Sequence, residues 1–277
     1  MSFVINTNVN ALQAQNYLDK NQTELAHAMQ RLASGQRINS AADDPAGLAI
    51  GTSMTMTSNS LRQGARNGND GISLVQTAES AIGDISNIVI SMQTLATQAA
   101  TETYSDSQLQ DINTQFQKLL SEVDRVASVT SFNGVNLLDG SKSSITIQVG
   151  SGDTVNDRLT IELANLTTGS AGLGISGLDL SSVEDAQAAL SSLSSLTSIT
   201  TTLAGLGASE TNLEAAVSND MGIATSLDAA KSRVMDADYA AESTNLARAN
   251  VLTQSSIAML AQANAQPQMV MQLIRGG

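Results

Sequence analysis

One histidine, no cysteine and a scatter of carboxylates are what this chain of 277 residues offers to catalysis or metal binding. His27 lies between Leu25 and Met29 in a helical pattern. A general base or a metal site needs partners converging on it; none stands nearby, so His27 reads as structural. Asp43 and Asp44 could be paired carboxylates, but Asp44 directly precedes Pro45. That is the arrangement of a helix N-cap followed by proline at the first helical position. Asp236 and Asp238 precede the last helical stretch and read the same way. Residues 172–177, GLGISG, match the dinucleotide fingerprint G-x-G-x-x-G. The fingerprint also needs a second parallel strand ending in an acid about 20 residues on, where this chain has SLSSLTSITTT. No catalytic, cofactor-binding or metal-ligating set is therefore expected: the chain reads as no enzyme, with no cofactor.

The composition points to helices. Aromatic residues make up 2% and tryptophan is absent, so a core must be built from Leu, Ile, Val, Met and Ala. That mix suits helix-on-helix packing. Without cysteine there is no disulfide or thiolate chemistry. The start MSFVINTNVNALQAQ lacks the marks of a secretory leader, and no apolar run is long enough to span a membrane. The net charge of −13 is unevenly spread: residues 1–40 and 231–277 each carry +1, residues 41–140 carry −7 and residues 141–230 carry −8. An acidic middle argues against nucleic acid as a partner. Near-neutral ends are expected to be buried against other protein.

Residues 4–34 read as a helix, with Ile5, Val9 and Leu12, then Leu18, Leu25 and Leu32 seven apart with Met29 between, and Gly35 as its cap. Behind Pro45 a single heptad register runs through Ile50, Met54, Thr57, Leu61, Gly64, Gly68, Gly71, Val75, Ala78, Ile82, Ile85, Val89, Met92, Ala96 and Ala99. A continuous helix over it would be roughly 75 Å long. The glycines of GARNGNDG fit either a local kink or a tight crossing. A third register follows from Leu109 to Val126, ending at the turn signal Asn133-Gly134. The period then changes to two at Ile145, Ile147 and Val149 and again at Leu159, Ile161 and Leu163, which predicts one β-hairpin near 141–165. Residues 181–235 read as helical. The last register places Tyr239, Leu246, Thr253, Leu260, Pro267 and Ile274 seven apart, with companions Ser243, Asn250, Ile257, Asn264 and Met271. The fold class is thus mainly α, a long-helix coiled coil or bundle with a small β-hairpin region. The terminal seams are rich in Asn, Ser, Thr and Gln, bury little apolar area and should order only when packed with partners. A membrane-surface helix would need a strongly apolar face and a basic one, which these polar seams and negative charge do not supply.

Several long motifs, in order, resemble those of bacterial flagellins: FVINTNVNALQAQ, RLASGQRINSAADDPAGLAI, ARNGNDGISLVQTAESAI, DRVASVTSFNGVNLLDG, and the end from SRVMDADYAAESTNLARANVL to MVMQLIRGG. The likeness covers about residues 1–140 and 210–277, and some 70 residues between them leave no room for the large outer domains of longer flagellins. The resemblance implies paired N- and C-terminal segments. Residues 1–43 and 236–277 would form inner-tube helices, and residues 44–235 an outer helical bundle with the hairpin. It implies a structural subunit polymerising into the flagellar filament for motility; a hook–filament junction protein is the alternative. Subunit contacts are expected from Val9, Leu12, Leu25, Leu32, Leu246, Ile257, Leu260, Met271 and Ile274, and a layer connector from Arg37, Asn39, Asp43 and Asp44. Arg37 would pair with an acid or carbonyl of a neighbouring subunit, or stay solvated.

The implied partners are further copies of the chain, a flagellar export chaperone, and filament cap and hook-junction proteins, with no nucleic acid and no membrane insertion. The implied location is the extracellular filament, reached by type III export. One departure concerns the vertebrate Toll-like flagellin receptor. Flagellins that it senses carry an Arg, followed four residues later by a Leu, in the segment matching SMQTLATQ, and an opposing Glu. Here the positions are Ser91, Leu95 and Gln115, so weak or no receptor activation is expected.

Overall fold

The computed structural model describes residues 7–194 and 197–275, with side chains as far as Pro267 apart from that of Ser194. In chain order the elements are α1 (Val9–Ser34), α2 (Pro45–Ala99), α3 (Asp106–Val129), β1 (Ser131–Phe132), β2 (Val135–Asn136), β3 (Ser144–Gln148), β4 (Arg158–Glu162), α4 (Val183–Ser194), α5 (Thr197–Met235) and α6 (Tyr239–Arg275). The fold is mainly α, as its composition requires. The strands make two antiparallel hairpins rather than one, β1–β2 and β3–β4. The first turns at Asn133 (φ 48°) and Gly134 (φ 77°), the left-handed pair that a tight two-residue turn demands. The 181–235 stretch is helical as α4 and α5 on either side of residues 195–196, which lie outside the described residues. The first helix starts at Val9, where the Asn8 side chain accepts from the Ala11 amide (3.1 Å); of the expected start at residue 4, residues 4–6 lie outside the described residues.

The chain forms two compact units, residues 1–56 with 226–277, and residues 57–225. In the second unit the long register of α2 is buried at every position from Leu61 to Ala99, while Ile50, Met54 and Thr57 before it are exposed or half-buried. Against that stripe pack Leu109, Ile112, Phe116, Leu120 and Val123 of α3, with Leu137, Leu138, Leu166 and Leu180 closing the core. The α2 helix runs unbroken through its glycines, which mark a tight crossing. A Cβ at Gly64 would collide with the Val149 carbonyl oxygen, one at Gly68 with Val217, and one at Gly71 would lie 3.2 Å from Ile147 and 3.3 Å from Leu213. Removing those side chains lets β3–β4 and α5 close onto α2. The GLGISG segment lies between β4 and α4, ten residues after the one and six before the other. Its Leu173 amide bonds to the Thr167 carbonyl (2.8 Å), a local turn with none of the strand-to-helix context of a nucleotide site.

Candidate subunit interface

The first unit is organised by α1 and α6, which pack antiparallel. Asn8 reaches Ala263, Asn21 reaches Ser256 (2.9 Å), and Arg31 lies 3.8 Å from Glu242. The inward positions of α1 are Ala11, Ala14, Leu18, Asn21, Leu25, Ala28 and Leu32, spaced three and four apart. Those of α6 are Glu242, Leu246, Ala249, Thr253, Ser256, Leu260, Ala263 and Pro267. Thus the seven-residue series Leu18, Leu25, Leu32 and Leu246, Thr253, Leu260, Pro267 lie inward, but the companions sit one residue earlier than the sequence pattern places them. Met29 (57%) and Ile257 (52%) are exposed, and Tyr239, at the head of its series, is 64% exposed. Small companions such as Ala28, Ala249 and Ala263 let the two backbones come close.

Pro267 stands inside α6. It has no N–H, so the carbonyl four residues before it, Ala263, has no helical donor. Asn8 Nδ2 supplies one at 2.7 Å. A defect in one helix is thereby repaired by the N-cap residue of the other.

The expected contact residues divide between two directions. Leu25, Leu32, Leu246 and Leu260 are half-buried within the pair, while Val9 (61%), Leu12 (53%) and Ile257 point outward. Met271 and Ile274 lie outside the residues whose side chains are described. Pattern reading missed further outward apolar residues, Tyr17, Val251, Leu252 and Met259, because they lie off the seven-residue series. Between the helices runs a groove of about 830 Å³, lined by Lys20, Glu24, His27, Arg31, Glu242 and Arg248 among polar and small side chains, with Tyr17, Leu252 and Met259 at its walls. His27 is thus an exposed groove residue rather than a packed one.

The connector from α1 to α2 is tied within the chain. Gly35 adopts φ 69° and its amide bonds to Arg31 O (2.9 Å), closing α1. The Arg37 side chain donates to Val234 O (2.5 Å) and its amide to Met235 O (2.7 Å), so its carbonyl partners belong to α5 of the same chain. The Ala237 amide returns a bond to Gly35 O (3.0 Å). Asn39 donates from its side chain to Gln36 O (2.9 Å). Asp43 accepts from the Asn39 and Ser40 amides and the Ser40 hydroxyl (3.1, 2.8 and 3.0 Å). The Ser40 hydroxyl above all, then the two amides, hold its carboxyl below the usual range. Asp44 accepts from the Gly47 amide (2.9 Å) and caps α2, and Asp238 accepts from the Ala240 amide (2.9 Å) at the start of α6. In the other unit, Ser91 is exposed and turned back to Asn87 O (2.9 Å), Leu95 is half-buried and Gln115 is exposed.

Among the described residues no cluster of His, Asp and Glu could hold a metal ion, and no helix is long and apolar enough to cross a membrane. What the first unit presents is a paired-helix face with its own seam satisfied and a second set of apolar residues left outside.

Residues 5–143 match the bacterial flagellin N-terminal helical region, and residues 191–274 the bacterial flagellin C-terminal helical region. A flagellin of Listeria innocua is 38% identical over 98% of this chain and 99% of its own length. A flagellar filament 30.7 kDa core protein of Treponema maltophilum is 36% identical over 98% of this chain and 99% of its own. The crystal structure of Bacillus cereus flagellin superimposes with a TM-score of 0.50 at 28% identity, covering 56% of this chain and 88% of that one. Motifs, paired terminal helices and matches along nearly the whole length agree: the chain belongs to the bacterial flagellins, structural proteins of the flagellar filament.

Proposed function

We propose that this flagellin polymerises through the α1–α6 pair, with residues 1–43 and 236–277 forming the inner tube and residues 44–235 the layer outside it. The observation that supports this is the outward set Val9, Leu12 and Ile257, large apolar side chains left in water beside a seam already filled. A helical filament needs a heterologous contact that does not close on itself. Two helices with separate inward and outward apolar stripes supply one. Burying such side chains contributes about 1.5–3 kcal/mol each. Met271, which continues the seven-residue series of Ile257, belongs to the same proposed contact. Arg37, Asn39, Asp43 and Asp44 hold the connector between layers from within the subunit.

Protein lacking residues 1–43, or residues 236–277, is expected to stay in the supernatant on sedimentation and to show no filaments by electron microscopy. Filaments from either truncation would overturn the assignment. The same reading takes the protein out of the cell by type III export, with a chaperone on the C-terminal segment and cap and hook-junction proteins at its place of insertion. Ser91 and Gln115 in place of an Arg and a Glu remove a charged anchor from the receptor-facing helix. In a cell reporter assay the purified protein should activate the vertebrate flagellin receptor weakly or not at all, and full potency would refute this.

A further inference from the structure

A carboxylate sits where the packing of residues 57–225 is tightest. Asp220 of α5 is 7% exposed, and its Oδ2 has no hydrogen-bond partner among the described residues. Its position follows from the helix register. Gly71 lies against Leu213 and Gly68 against Val217, so the antiparallel course of α5 along α2 brings Asp220 level with Gly64 and Ala65. Gly64 is pressed onto the Val149 carbonyl, and the amides of Val149 and Gly150 both donate to Asp157 O (2.9 Å each). Asp220 is therefore wedged where α2, α5 and the β3–β4 loop meet. A second carboxylate pair lies farther along the same two helices. Half-buried Glu79 of α2 comes within 3.8 Å of a Cβ built at Gly207 of α5 and is acted on by Glu210, which accepts from Gln76 Nε2 (2.7 Å).

We infer that the α2–α5 seam is an acid-tightened clasp: protonation of Asp220, and of Glu79 beyond it, draws α5 onto α2 and the β3–β4 loop, and ionisation loosens it. An ionised carboxylate buried without a partner carries an uncompensated desolvation penalty. Among the described residues the charge that acts on Asp220 is another acid. From the hairpin the charged neighbour is Asp157, held ionised by the Thr154 hydroxyl and the Thr154 and Gly152 amides. Asp153 and Arg158 of that loop are exposed and paired with each other. From α2 the facing residues are Leu61, Gly64, Ala65 and Gly68; Arg62 and Arg66 occupy exposed positions, and Arg66 is held by Gln63. On α5 itself Glu214 is exposed. Around Glu79 the charged neighbour is Glu210, and Asp84 of its own helix is exposed.

Burial first, then Asp157, pushes the Asp220 carboxyl up, and burial first, then Glu210, does the same to Glu79. A carboxyl raised in the folded state contributes stability that is present at low pH and lost as pH rises through the raised value. The clasp thus opposes the usual acid weakening of proteins.

The test is hydrogen–deuterium exchange of full-length monomeric protein, read on the amides of residues 213–224, for the parent, Asp220→Asn, Glu79→Gln and the exposed control Glu214→Gln. At pH 8 Asp220→Asn should exchange roughly tenfold more slowly than the parent, as expected when a buried unsatisfied group is neutralised. The gap should close as the pH falls to the ordinary aspartate value, about 3.9. Glu79→Gln should act in the same direction, and Glu214→Gln should track the parent throughout. A gap of equal size at both pH values, no gap at pH 8, or an equal effect from Glu214→Gln would overturn the clasp.

Discussion

Asp43 and Asp220 show how one chemical group is used in opposite ways. Asp43 lies at the surface, with two amides and a hydroxyl donating to it, and its carboxyl is held below the ordinary range by the Ser40 hydroxyl first. A depressed carboxyl contributes stability that is present above its ordinary value, about 3.9, and lost as pH falls through the folded one. The turn Asn39–Asp43 should therefore open in acid. In an NMR titration of the parent, the Asn39 and Ser40 amide signals should move below about pH 4 and stay still in Asp43→Asn; equal movement in both proteins would refute the assignment. Asp139 and Asp157 are held down by the same means, with Ser141 and Thr154 as their first donors.

At the scale of elements, the glycines of α2 separate propensity from packing. Alanine is better than glycine in a helix interior by about 1 kcal/mol. A Cβ at Gly83 meets nothing within 4 Å, so Gly83→Ala should stabilise the monomer by about that amount. A Cβ at Gly64 meets a backbone carbonyl fixed by the hairpin, so Gly64→Ala should destabilise it by about 1–3 kcal/mol. Urea unfolding of the two variants should give shifts of opposite sign, and shifts of the same sign would sink the crossing argument. The sequence carries this part of the fold openly. From Leu61 to Ala99 the strong contrast between Val, Ile, Leu or Met and polar neighbours fixes one face. In α1 and α6 the contrast fades. Ala28 and Met29, or Ser256 and Ile257, are rival companions to the same leucine series, and tight antiparallel packing selects the smaller of each pair. That preference for small over apolar is what pattern reading missed. The Arg37 partner is hidden for another reason: Val234 lies 197 residues away, and no local signal encodes it.

For the whole molecule, the two chain ends form one object. Among the described residues the seam of α1 is filled by α6 and the reverse, so deleting either end exposes the inward leucines of the other as well as removing its outward stripe. Loss of assembly should therefore be as complete for one truncation as for both. The acidic stretches 41–140 and 141–230, at −7 and −8, leave the near-neutral ends as the part of the chain with least charge to repel another copy.

A seam built from Leu, Ala, Ser and Thr repeats nearly the same pattern every seven residues. One helix could slide along the other by a heptad, about 10 Å, with little change in buried area. The carbonyl that Pro267 leaves at Ala263 occurs once, and so does the asparagine that meets it. Any slipped pairing abandons that bond and strands the carbonyl. In a polymer of identical parts, where one misaligned subunit hands its offset to the next, this mark works with the Asn21–Ser256 bond and the Arg31–Glu242 pair as a ruler's zero. It makes each copy the same length as the last.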